Sequence, residues 1–168
     1  MADQNLVCAG PKAQAARARS DSHTKAPVSA NSTAVDQDKV GRLVQAVGVD
    51  PRDVASLQAL GDIYFAAKDY QNAADWEQKA LDVESTNKMA LIALGAAQFN
   101  LGNAAEAKKH WLVAAALYPN EAEVHYDLGF LYSTQNPPDS VNMKAEWKRV
   151  VAIDPNSNLA KSVAPHIQ

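Results

Sequence analysis

From Asp36 onward, apolar residues recur at the three- and four-residue spacing that gathers them on one side of a helix. In LQALGDIYFAA, Leu57, Leu60, Ile63 or Tyr64 and Ala67 make such a stripe. The pattern returns in LIALGAAQFNLGN from Leu91 and in HYDLGFLYSTQNPPDS from His125. Each stripe is followed by a short polar turn and then by a second stripe. Gly61, Gly95 and Gly129 lie 34 residues apart, and each follows a leucine: Leu60, Leu94 and Leu128. The pattern predicts antiparallel helix pairs that approach closely at the glycines, where a larger side chain would wedge them apart.

The boundaries carry their own signals. Asp50-Pro51 and Asp154-Pro155 each put an acceptor before a proline, a device that opens helices. Asn103 with Glu106 and Asn120 with Glu123 are spaced like capping boxes. Upstream, DKVGRLVQAVGVDP predicts an unpaired helix with Leu43, Ala46 and Val47 facing the stack. Downstream, Leu159 and Val163 predict a short capping helix stopped by Pro165. Between Gly129 and Pro155 the chain is two residues longer than between Gly95 and Pro119. The extra length falls at Asn136-Pro137-Pro138-Asp139, where prolines are harmless and Asp139 or Ser140 can cap the next helix.

A 34-residue period built on Leu-Gly resembles the tetratricopeptide repeat. Other positions agree: Tyr64 and Tyr132 after the glycine, Ala73 and Ala107, Ala80 and Ala114, Trp111 and Trp147, and the closing Pro119 and Pro155. Gln98 and Ser85 depart from the pattern. In the first copy Trp76 stands one position early, with Glu77 in the usual slot, so that helix is expected to be rotated or packed differently. The resemblance implies an all-α, right-handed α-solenoid: three repeats over about 54–87, 88–121 and 122–155, an N-terminal orphan helix and a capping helix over about 156–164. The domain as a whole is expected over 36–168. A weaker resemblance links the C-terminal stretch from Asn136 to bacterial repeat proteins of the cytochrome c biogenesis type, which implies a soluble domain of a membrane-anchored assembly factor.

Composition narrows the partners. Residues 1–35 are rich in Ala, Ser, Gln, Asn and Thr and read as a disordered arm or linker. The 168-residue chain carries a net charge of −3, with a basic arm and a more acidic remainder. That balance argues against nucleic acid. No run of 18 apolar residues exists, which argues against membrane insertion by this chain. A cytoplasmic location and an extracytoplasmic domain of a tethered protein both fit. The single cysteine, Cys8, allows neither an intrachain disulfide nor a thiolate cluster.

No phosphate loop, Cys-x-x-Cys, His-Glu-x-x-His or nucleophile elbow occurs. We expect no enzyme, no metal and no cofactor, and His125 reads as a satisfied, partly buried histidine. Binding is the expected function, with a protein or peptide partner and with homo-oligomerisation as the alternative. The resemblance places the groove-lining residues on the first helix of each repeat: Gln58, Asp62 and Phe65; Met89, Ile92, Phe99 and Asn100; Tyr126 and Phe130. Chaperone adaptors of this kind grip a C-terminal carboxylate with lysine, asparagine and arginine. Here those positions hold Gln58, Asp62, Ile92, Ala96, Tyr126 and Phe130, with no lysine or arginine, and Asp62 would repel a carboxylate. The charged residues of the second helices, Asp75, Lys79, Asp82, Lys108 and Lys109, read as a solvated outer face.

Overall fold

The computed structural model describes residues 35–167. The arm expected over 1–35 lies outside them except for Val35, as do Cys8 and His23. Among the described residues eight α-helices follow one another: α1 Gln37–Val49, α2 Val54–Ala66, α3 Tyr70–Val83, α4 Lys88–Asn100, α5 Ala104–Leu117, α6 Ala122–Thr134, α7 Ser140–Ile153 and α8 Asn158–Val163. A 3₁₀ turn, Ala164–His166, closes the series. Each helix packs on the next, and α2, α4, α6 and α8 also touch in succession. The result is an all-α solenoid of three helix pairs with a lone helix at the N-terminal end and a capping helix at the other.

Six helices are started by a short polar side chain accepting the free N–H three residues on. Asp36 takes Lys39 N at 2.9 Å, Asp53 takes Ser56 N at 3.2 Å, and Asp69 takes Asn72 N at 3.3 Å. Asn87 takes Ala90 N at 3.0 Å, Asp139 takes Asn142 N at 3.1 Å, and Ser157 takes Ala160 N at 3.1 Å. The bonds from Ser56 and from Asn142 hold the Asp53 and Asp139 carboxyls below the usual carboxylate range.

Two expectations about boundaries need correction. Asp50 and Asp154 do not open helices; they end α1 and α7. Their side chains accept from Arg52 N and Asn156 N within the turn, and the following helices are capped by Asp53 and Ser157. The proline after each aspartate belongs to the turn because the α-helix begins only beyond it. Nor do the two capping boxes form. Asn103 begins α5 without capping it and donates instead to Gln98 Oε1, while α6 begins after Glu121 with no side-chain cap.

The turns inside the first two pairs share one geometry. Lys68 and Gly102 occupy the same place with φ of 60° and 84°. Their amides bond to Phe65 O and Phe99 O, and the next amides, of Asp69 and Asn103, bond to Tyr64 O and Gln98 O. This is the left-handed helix ending that glycine adopts freely and lysine does not. The third pair spans its gap differently, through Gln135–Asp139, with the Asp139 amide reaching Tyr132 O at 3.1 Å.

The main core runs from Leu57 to Tyr132 and is built on Leu57, Leu94, Leu128 and the alanines of α3 and α5. A smaller cluster of Trp147, Val150, Ala160 and Val163 seats α8. At the other end α1 turns Val40 inward, and Leu43, Ala46 and Val47 are half-buried. This end is looser: Val44, Val47, Leu57 and Trp76 line an open hollow between α1 and the first pair.

Candidate binding groove

The inner face is made by α2, α4 and α6, and its depth is set where each glycine meets the helix behind. Gly95 faces the Trp111 ring and Gly129 faces the Trp147 ring; in both places a Cβ would overlap the indole. Each indole N–H donates to a backbone carbonyl of the inner helix, Trp111 to Ile92 O and Trp147 to Tyr126 O, both at 3.2 Å. Gly61 faces Glu77 in the same way. Of the two expectations for the first copy, different packing holds: Glu77 occupies the slot in register, and Trp76 points toward α1 with the Lys79 ammonium 3.7 Å from its ring centre.

A carboxyl fills less of that slot than an indole. A pocket of about 180 Å³ lies beside Glu77, lined also by Asp62, Phe65, Met89, Ile92, Ala93, Ala96 and Glu123. Glu77 is 2% exposed, and its Oε2 has no hydrogen-bond partner. Burial, reinforced by the nearby Asp62 charge, pushes its carboxyl up to about 8. On α6, Asp127 is pushed up to about 7, by burial first and by Glu123 second.

The residues expected to line the groove fall into three groups. Asp62, Met89, Asn100 and Phe130 are exposed. Phe65 and Phe99 are half-buried; Phe65 meets Tyr70 edge-on, and Phe99 packs on Trp111 and meets Phe130 edge-on with ring centres 5.7 Å apart. Gln58, Ile92 and Tyr126 share one place in their repeats and turn into the seams between helices. Gln58 donates to Asn87 Oδ1 at 3.0 Å, Ile92 is buried, and Tyr126 packs on the Trp147 cluster. The structure thus brings Phe99 and Phe130 together across α4 and α6, and Asp62, Phe65, Met89 and Ile92 to the pocket. The element that sequence reasoning missed as a site residue is Glu77. Its signal was present: a carboxylate where the next two copies place tryptophan.

His125 is completely buried between two acceptors, Glu146 Oε2 at 2.7 Å from Nδ1 and Pro119 O at 2.9 Å from Nε2. A carbonyl only accepts, so Nε2 carries a proton, and the Glu146 carboxylate draws a second onto Nδ1 and raises the imidazole's affinity for it. The pair joins α6 to α7 and stands away from the pocket. Among the described residues no three His, Cys, Asp or Glu side chains are placed to hold a metal ion, and no helix is long and apolar enough to cross a membrane.

Neither protein-family models nor curated proteins show a match to this sequence. Solved structures do. The first repeat domain of Spaghetti (RPAP3), bound to the HSP90 peptide SRMEEVD, is 24% identical, with 70% of this chain and 92% of that one covered and a TM-score of 0.62. MamA is 20% identical over 76% of this chain and 82% of its own, with a TM-score of 0.65. A tetratricopeptide repeat protein from Parabacteroides merdae is 19% identical over 76% of this chain and 50% of its own, with a TM-score of 0.67. The described residues have the tetratricopeptide-repeat fold. In repeat terms, the inner helices α2, α4 and α6 are the first helices of their units, and the slot that holds Glu77 is the one that an indole fills in the second and third.

Proposed function

We propose that this protein is a scaffold that binds a segment of another protein along the inner face of α2, α4 and α6. The observation that carries this reading is the exposed apolar side chains there: Met89, at the pocket, is 57% exposed, and Phe130, beside Phe99, is 43% exposed. Apolar side chains left open on neighbouring helices of a rigid face suit partner anchoring. The Spaghetti domain, similar in fold, is bound to a peptide. That peptide carries two glutamates and a C-terminal aspartate, whereas this inner face presents Asp62 and Glu123 and no lysine or arginine in the clamp positions. The partner segment here is accordingly not an acidic tail.

Selection from a random peptide library on the full chain tests the reading. Phe130→Ala should remove the selected binders and leave the melting temperature nearly unchanged, because the side chain is exposed. Binders that survive Phe130→Ala and Met89→Ala would move the working surface elsewhere. One observation favours a second reading, self-association: Leu112, Val113 and Leu117 are exposed together on α5. A mass by light scattering that rises with concentration, and falls back in Leu112→Asp, would support it over the groove.

A further inference from the structure

We propose that the pocket beside Glu77 receives the cationic side chain of a lysine or arginine from the bound segment, with the Glu77 carboxylate as its counter-ion. The proposal rests on the groove reading and says what chemistry the partner must bring. Three features carry it. The first is an unpartnered polar atom: Glu77 is 2% exposed and its Oε2 meets no donor, a costly state for a buried carboxyl. The second is shape. The pocket of about 180 Å³ opens where exposed Asp62 and Met89 stand, and its walls of Phe65, Met89, Ile92 and Ala96 suit an alkyl stem. The third is charge. The titratable groups that line it, Asp62 on α2, Glu77 on α3 and Glu123 on α6, are all carboxyls, with no basic residue among them. The three do not form a metal-ligand set, so the complementary group is an organic cation with donors of its own.

The proton balance is simple. The free pocket holds Glu77 protonated at neutral pH, since its carboxyl is pushed up to about 8. An entering ammonium pairs with the carboxylate, and the proton leaves to solvent. Affinity should therefore rise with pH up to about 8 and level off above it.

The test uses the full chain and N-acetyl-lysine methylamide, N-acetyl-arginine methylamide, and the norleucine and glutamate counterparts as controls. Amide shifts of Gly61, Asp62, Ala93 and Ala96 are followed by NMR. The lysine or the arginine compound should shift them saturably, with binding weakened about ten-fold or more in Glu77→Gln. Norleucine binding as well as either cation, glutamate binding at all, an unchanged Glu77→Gln titration, or the absence of saturation by both cations would each overturn the proposal. The norleucine comparison is made on the unaltered protein, so it stands even if Glu77→Gln folds poorly. The two readings fail separately. Library peptides that need Phe130 but carry no basic residue would keep the groove and sink the pocket. Saturable lysine uptake with no peptide dependent on Phe130 would keep the pocket and sink the groove.

Discussion

The first repeat and the two after it answer the same packing problem with different chemistry. In the second and third, a glycine on the inner helix opens a gap that an indole fills, and the indole N–H is spent on a backbone carbonyl. In the first, the same gap receives a carboxyl with one oxygen unpartnered and a pocket alongside. A complete indole slot is finished as core. An incomplete one leaves a buried carboxyl oxygen without a donor beside open space. Natural proteins break local packing rules mainly where they bind or react, and the Glu77 slot is such a break.

The comparison can be broken most forcefully at Trp111. Trp111→Ala should cost about 3–5 kcal/mol in denaturant unfolding, as expected for a large buried aromatic. Glu77→Ala, at the equivalent place, should cost far less, because it also removes an unsatisfied carboxyl oxygen. Equal losses at the two sites would mean that the slots are equivalent after all.

Alanine at the glycines gives a smaller and sharper contrast. Gly95→Ala drives a methyl against a rigid, hydrogen-bonded ring and should cost about 1–3 kcal/mol. Gly61→Ala meets Glu77 from Oε1 back to Cγ, but that side chain is flexible and can swing into the pocket. With the helix-propensity gain of alanine over glycine, it should be nearly neutral. Thermal melts of the two variants side by side decide the matter, and a Gly61→Ala loss as large as that of Gly95→Ala would show that Glu77 is fixed.

Glu77→Trp completes the slot. Its indole N–H would face Gln58 O, as those of Trp111 and Trp147 face Ile92 O and Tyr126 O. The expected gain is roughly 1–2 kcal/mol from added apolar burial and a satisfied donor, together with loss of lysine uptake. A destabilised variant would show the pocket too narrow for a ring.

The last contrast is a pH dependence. Glu77 titrates at the ordinary 4.5 in the unfolded chain and at about 8 in the folded one. Below pH 4.5 both states hold the proton. Between the two values the unfolded chain releases it while the folded chain keeps it, so stability falls as pH rises, and it levels above about 8. Glu77→Gln should remove this component, so its stability relative to the unaltered protein climbs across that window. His125 and Asp127 also favour the folded state at lower pH: the His125 contribution is full below 6.5 and is lost as pH rises through its raised folded value. Both are present in each protein and cancel in the difference. A flat difference between pH 5 and 8 would mean that Glu77 is ionised in the folded state.

The sequence by itself determined the helices, their pairing and the glycine slots. Those depend on periodicity and on residue size at fixed spacing, and Leu60, Leu94 and Leu128 declare both. Cap assignments were less legible. Asp50 and Asn103 have the right chemistry for a cap, but which acceptor reaches a free N–H depends on turn geometry a residue or two away. The groove was legible as a set of positions and not as a surface. Ile92 and Phe99 look alike in the sequence, yet one is buried in a seam and the other half-open, because exposure is decided by the neighbouring repeat. The tertiary structure alone made Glu77 a site. A glutamate on a helix is ordinarily solvated; this one lost its water because the close approach at Gly61 carries it under the inner helix, where no donor waits.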